Sequence, residues 1–232
     1  MLPTSLPPST LQRARLRLLN GRVGLGLVAA LSFLAGMTDA VGFMSTGDFV
    51  SFMSGNTTRM AVAVSEGDGH GLLRLALAIV CFVVGNALGV VLARGLRRRA
   101  APLLLLVAMV LACAALPGLW ASVALALAII AMGLLNAVVE QVNGLPIGLT
   151  YVTGALSRFG RGLGRWLMGE RRSGWRVQLV PWGGMLLGAV FGAWVQTRLG
   201  IAALAVCAVV TLVLAGAVLF IPRSWQRGYM AR

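Results

Sequence analysis

The sequence holds no lysine, one histidine, three cysteines and six acidic residues in 232 positions, and only 11% of it is charged. A soluble globular domain carries about 25% charge, so this scarcity excludes an ordinary water-soluble fold. Cys81, Cys113 and Cys207 each lie inside an apolar run. An odd, unclustered set offers neither a disulfide framework nor metal-ligand spacing, and they read as packing thiols. His70 sits in the polar stretch Glu66-Gly67-Asp68-Gly69-His70 and reads as a solvated loop residue rather than a metal ligand. No Walker, GxSxG, HExxH or CxxC motif is present. With no nucleophile–base arrangement either, the chain reads as neither an enzyme nor a holder of a cofactor or metal.

What is present is hydrophobicity, 59% of the residues, and arginine: twenty of them give a formal charge of +14. Such a charge first suggests nucleic acid. The arginines, however, stand between long apolar runs, so no unbroken basic surface forms and nucleic acid is rejected as a partner. At roughly 20 residues per span, the chain holds at most about eight crossings and no large soluble catalytic domain.

Residues 1–22 read as a disordered basic N-terminal tail: 1–12 are rich in Pro and Ser, and Arg13, Arg15, Arg17 and Arg22 precede an apolar run. That order mimics a secretory signal, but no small-residue cleavage site follows, so the run from Val23 is a first membrane helix. Apolar runs cover about 24–44, 72–93, 102–117, 119–142, 179–197 and 201–221. Two weaker segments, 46–64 and 144–166, are interrupted by polar residues and suit re-entrant segments better than full spans. They fall at matching places in an internal repeat, 23–117 and 118–222, with a cytoplasmic C-terminal tail at 223–232. Gly36-Met37-Thr38-Asp39-Ala40 resembles Gly133-Leu134-Leu135-Asn136-Ala137. Ser54-Gly55-Asn56 faces Thr153-Gly154-Ala155 at an offset of 99, which also sets Gly85 and Gly89 against Gly184 and Gly188.

Arginines collect on the cytoplasmic side of membrane proteins. With six spans and both termini inside, that side holds four arginines before the first helix, four at 94–99, six from Arg158 to Arg176 and three at 223, 227 and 232, which is 17 of the 20. Full crossing by both weak segments moves Arg94–Arg99 outside and worsens the split. Three crossings per half then invert the second half relative to the first. Inverted repeats with paired interrupted segments are an architecture of secondary transporters and some channels.

Asp39 lies about 24 Å into the first helix at 1.5 Å per residue, within the hydrocarbon, where a carboxylate is costly unless it faces a cavity or a partner. Asn136 is its repeat mate, and pseudo-twofold symmetry brings the two near each other. Ser54-Gly55-Asn56-Thr57-Thr58 reads as the tip of a re-entrant segment, with Ser54 or Asn56 capping a half-helix whose positive end faces the membrane centre. Thr153-Gly154 mirrors it. The competing reading makes these groups polar helix–helix contacts. Gly85-x-x-x-Gly89 and Gly184-x-x-x-Gly188 fit close helix packing. Arg94–Arg99 and Arg158–Arg176, the latter interleaved with Trp166 and Trp175, are placed against anionic lipid headgroups.

The stretches AGMTDAVGFM and FMSGNTT resemble the signature of the bacterial YoaK-like family of integral membrane proteins, a G-x-x-D-A motif followed by T-G-N with a fainter second copy. Gly36, Asp39, Ala40, Gly55 and Asn56 match, Ser54 stands where Thr is usual, and Gly133, Asn136, Ala137, Val152, Thr153 and Gly154 form the second copy. The resemblance spans roughly 24–221 and implies a multi-pass inner-membrane protein without implying a substrate.

The expectation is an all-α integral membrane protein with six transmembrane helices, two re-entrant or broken segments and two inverted repeats. It sits in the inner membrane as a small-solute transporter or channel. The site is expected at Asp39, Ser54, Gly55, Asn56, Thr57, Asn136, Thr153 and Gly154, with no catalytic residue. The alternative is a non-transporting scaffold or partner subunit, and association with further copies of the chain is left open. An intramembrane lipid enzyme ranks last for want of a nucleophile–base pair.

Overall fold

Alanine, leucine and valine dominate the chain, and in a medium without hydrogen-bond partners such a backbone satisfies itself within helices. A computed structural model describes residues 10–139, 141–142, 145–146, 152–170 and 174–230. Over these residues the protein is helical apart from one two-residue antiparallel pairing. The elements are α1 (Thr10–Thr46), α2 (Met53–Glu66), α3 (Gly69–Gly95), α4 (Ala100–Ala114) and α5 (Ala121–Asn136), then the pair β1 (Gln141–Val142) and β2 (Leu145–Pro146), then α6 (Val152–Leu167), α7 (Leu179–Leu199), α8 (Ala203–Leu219) and α9 (Arg223–Tyr229).

Three helical stretches are long and apolar enough to cross a membrane: Leu19–Thr46, Gly69–Gly95 and Trp175–Leu219. The last divides at Gly200, whose φ of +59° ends α7 before α8 begins. α4 and α5 are shorter apolar helices of 15 and 16 residues. About 67% of the apolar window of α1 is buried inside the protein against 22% for α3, so α1 is central and α3 turns its leucines and valines outward. In water that outward face would be an untenably large apolar patch; against lipid it is ordinary.

Several boundaries differ from the sequence expectation. Residues 10–22 are not a tail but the start of α1: residues 11–19 are all Leu, Arg, Gln or Ala, good helix formers. The expected C-terminal tail forms α9, whose Tyr229 and Met230 are buried. Its Gln226 Nε2 donates to Val218 O (3.0 Å) and Ile221 O (2.9 Å), while Oε1 accepts from Ala100 N–H at the start of α4 (3.3 Å). The apolar run at 119–142 is helical only as far as Asn136, and Gln141 lies in β1; Glu140 lies outside the described residues. The loop around His70 shrinks to Gly67-Asp68. Gly67 closes α2 with φ +69°, and Asp68 caps α3 by accepting from Gly71 N–H (2.9 Å).

Packing pairs helices distant in sequence: α1 lies along α7 and α3 along α5, while α4 contacts both α5 and α8. α1 also touches α5 and α8, α2 leans on α3, and α6 leans on α7. Leu34, Leu104, Leu111, Ile129, Met132 and Leu204 are fully buried between these layers.

Glycine makes the two long crossings tight. A Cβ on Gly36 would stand 2.0 Å from Met185 O and 3.0 Å from Ala189 N; on Gly133 it would stand 2.7 Å from Phe82 O and 2.8 Å from Asn86 N. Likewise Gly188 faces Phe33 O (1.9 Å) as Gly85 faces Ile130 O (2.6 Å), and Gly192 faces Met37 O (2.4 Å) as Gly89 faces Leu134 O (3.2 Å). Residues that meet their partners alike lie 97 apart between α1 and α5 and 103 apart between α3 and α7, so Gly85 is placed like Gly188 rather than like Gly184, one helical turn from the offset of 99. Gly184, Gly188 and Gly192 recur every four residues, so a slip of one turn still sets glycine on glycine and leaves no trace in the sequence.

Candidate functional site

Between α1 and α2 the chain turns back on itself over residues 47–52, starting at Gly47 with φ +81°. Without a helix or sheet around it, this buried loop needs other partners for its backbone. Asp39 supplies one set. Its Oδ1 accepts from Val50 N–H (2.8 Å) and Ser51 N–H (2.6 Å), and its Oδ2 accepts from the Ser51 hydroxyl (2.5 Å). Asn56 supplies the other: Nδ2 donates to Phe49 O (2.7 Å) and Oδ1 accepts from Phe49 N–H (3.0 Å). Asp39 is 5% exposed and Asn56 is fully buried, so both side chains spend these contacts on the loop.

Because Asp39 sits seven residues before the end of α1, its grip on Val50 and Ser51 folds the loop back along that helix. Asn56 reaches backward to Phe49; the expected cap by Ser54 or Asn56 is absent, since the N-terminus of α2 has no side-chain cap. Gly55 is required for a different reason than tip flexibility: a Cβ there would lie 2.5 Å from the Phe52 ring and 3.0 Å from that of Phe49. Thr57 is exposed and its hydroxyl donates to Met53 O (2.9 Å).

The same loop carries aromatic rings. Phe49 stacks on Phe43 at 4.7 Å between centroids and meets Phe52 edge-on at 5.2 Å. These three rings, with Asp39, Thr153 and Trp182, form much of the wall of a cavity of about 360 Å³ bounded by α1, the loop, α6 and α7. A second cavity, of about 430 Å³, lies where the start of α2 (Met53, Ser54) faces the start of α6 (Val152, Thr153), with Ser51, Phe52 and Phe82 completing it. Asp39, Ser54 and Thr153 are thus gathered around two adjoining cavities. Gly55, Asn56 and Gly154 stand beside them on the same two helices.

Asn136 is not brought to Asp39. Its Nδ2 donates to Asn86 Oδ1 on α3 (3.1 Å), and Asn86 Nδ2 donates to Phe82 O (2.8 Å). The contact between α1 and α5 falls instead at Thr38, whose hydroxyl donates to Met132 Sδ (3.1 Å). The two side chains spend their hydrogen bonds on different partners, Asp39 on the loop and Asn136 on α3.

Sequence reasoning missed Asp48. It is as buried as any residue in the protein, and two half-exposed arginines converge on it. Arg74 Nε stands 2.6 Å from Oδ2 with its N–H turned off line, and Arg59 Nε stands 3.5 Å from Oδ1. The usable signal was a carboxylate and an arginine within 11 residues of one weakly apolar segment. Both arginines also line a cleft of about 250 Å³ between α2 and α3 that contains Glu66 and Asp68. Among the described residues no group of three His, Cys, Asp or Glu side chains gathers to hold a metal.

Outward-facing apolar helices packed around a buried loop define a helical membrane protein. The chain belongs to the family described as protein of unknown function DUF1275, which matches residues 27–217 and takes in the YoaK-like proteins. A UPF0700 transmembrane protein of Rhizobium meliloti (strain 1021) is 54% identical over 224 residues, covering 95% of this chain and 98% of that protein. No solved structure matches.

Proposed function

We propose that the protein is an inner-membrane carrier or channel for a small solute, built as six spans with α2 and α6 re-entrant and both termini cytoplasmic. The observation that carries this reading is the cavity at Asp39, lined by α1, the loop before α2, the start of α6 and α7. A solute site between paired half-helices near the bilayer centre is how inverted-repeat transporters are made.

Support for inverted repeats comes from the packing. Exchanging α1 with α5, α2 with α6, α3 with α7 and α4 with α8 turns every helix contact named above into another of them. The matched backbone approaches at Gly36 and Gly133 obey the same exchange. The arginine-rich segments Arg94–Arg99 and Arg158–Arg176 are assigned to anionic headgroups on the cytoplasmic face. α6 is strongly amphipathic there, with Arg161 and Arg165 exposed, and Trp175 packs onto Gly162, where even a methyl group would stand 2.3 Å from its Cβ.

The scaffold alternative rests on the spent hydrogen bonds of Asp39 and Asn56, which explain both residues without any solute. Flux into proteoliposomes, measured across a panel of charged and neutral small molecules, separates the two. Uptake of at least one solute above protein-free vesicles, reduced by Trp182→Leu, is expected of a carrier; no uptake of any solute favours the scaffold. If transport is driven by protons through Asp39, Asp39→Asn abolishes pH-driven uptake while folded protein remains in the membrane.

A further inference from the structure

We infer that the cavity at Asp39 is shaped for a small organic cation, an ammonium group carried on an apolar or aromatic body. The inference rests on the carrier reading for its physiological sense, but its binding chemistry stands on the walls. Four of those walls are aromatic rings, Phe43, Phe49, Phe52 and Trp182, and most of the rest is aliphatic. Among the described residues of the wall, Thr153 brings the only side-chain hydroxyl and Asp39 the only ionisable group.

Among the described residues no cation pairs with Asp39. The nearby Arg59 and Arg74 are held by Asp48 and line a separate cleft. Three hydrogen bonds dress the carboxylate, two on Oδ1 and one on Oδ2, which leaves acceptor capacity on Oδ2. A carboxylate within the apolar part of a membrane protein characteristically faces a cation or a water-filled path.

Other solute classes fit less well. A sugar would find one hydroxyl and little else to bond. A bare metal ion wants about six oxygens, and the cavity lacks them. An anion would be drawn by the amino end of α6, worth about half a positive charge, but would meet a full carboxylate and the negative faces of the rings. An ammonium gains from both of the latter, since cations are attracted to aromatic faces within about 6 Å. The volume of about 360 Å³ lies within the span of small-ligand pockets and admits an aryl-alkyl amine.

The test uses the full chain purified in detergent and three matched probes: phenethylammonium, its neutral isostere 2-phenylethanol and the anion 3-phenylpropionate. Saturable binding of radiolabelled phenethylamine is expected, with the other two competing at least about tenfold more weakly. Trp182→Leu is expected to weaken it severalfold without shifting the unfolding midpoint, and Asp39→Asn to weaken it further. Equal or better binding of the neutral or anionic probe, or no saturable binding of the amine, overturns the inference. The same probes in proteoliposomes keep the two ideas apart. Amine binding without flux of any solute removes the carrier and leaves the cation site, whereas flux of a neutral or anionic solute without amine binding does the reverse.

Discussion

The loop over residues 47–52 gives the sharpest quantitative expectation, because two side chains from different helices hold adjacent peptides of it. Asp39→Ala removes the acceptor for two N–H groups and a hydroxyl. A buried donor left unmet costs about 1–3 kcal/mol. The hydroxyl can turn to another acceptor, so a loss of about 3 kcal/mol is expected from the two amides and the disrupted packing. Asp39→Asn keeps Oδ1 for both amides and presents an NH₂ to the Ser51 oxygen, and its cost should stay near ~1 kcal/mol. Asn56→Ala frees the N–H and C=O of Phe49, for about 2 kcal/mol. Once either anchor is gone the loop is partly released, and the second then has less to lose. The Asp39→Ala/Asn56→Ala double variant should therefore fall short of the summed losses by about 1 kcal/mol. Reversible unfolding in mixed micelles, followed by far-ultraviolet circular dichroism, measures all four proteins. A parent-like stability for Asp39→Ala would refute the anchoring argument outright. Strict additivity would show that the two residues do not hold one common element.

Two further expectations follow from contacts elsewhere. Gly188→Ala drives a methyl group against Phe33 O and should cost about 1–3 kcal/mol, whereas Gly183→Ala, with nothing near its Cβ, should be neutral or slightly stabilising in the same unfolding experiment. Tyr229 outside the spans donates to Asn20 O (2.7 Å), and burial raises its pKa above the ordinary 10.0. The folded form thus holds its proton longer than the unfolded chain, so stability falls as pH rises from about 10 towards the folded pKa. Tyr229→Phe should remove that alkaline loss and cost about 1 kcal/mol at neutral pH.

The helical, membrane-embedded character of the chain was legible in its apolar runs, although the run at 119–142 gives a helix only to Asn136. Asp39 was legible as an expensive residue, but not its partners. Val50 and Ser51 contribute backbone amides, which every residue has and no sequence pattern distinguishes. Asp48 looked like one more polar interruption, and only the fold brings Arg74 to it from 26 positions away. The aromatic wall was hidden for the same reason: Phe43, Phe49, Phe52 and Trp182 sit on three different elements. α9 was taken for a tail because its arginines masked the inward Gln226 and Tyr229.

The long crossing of α1 and α7 also has a consequence for biosynthesis. Gly36 is followed by 148 residues before Met185, the backbone it rests on, is made. At about 5–20 residues per second, α1 waits roughly 7–30 seconds with its glycine face and Asp39 loop unpartnered. The α3–α5 crossing closes within about a third of that time, because only some 50 residues separate its contacts. Assembly therefore begins in the middle of the chain, and the first helix must be sheltered in the translocation machinery or tolerated by lipid until the seventh arrives.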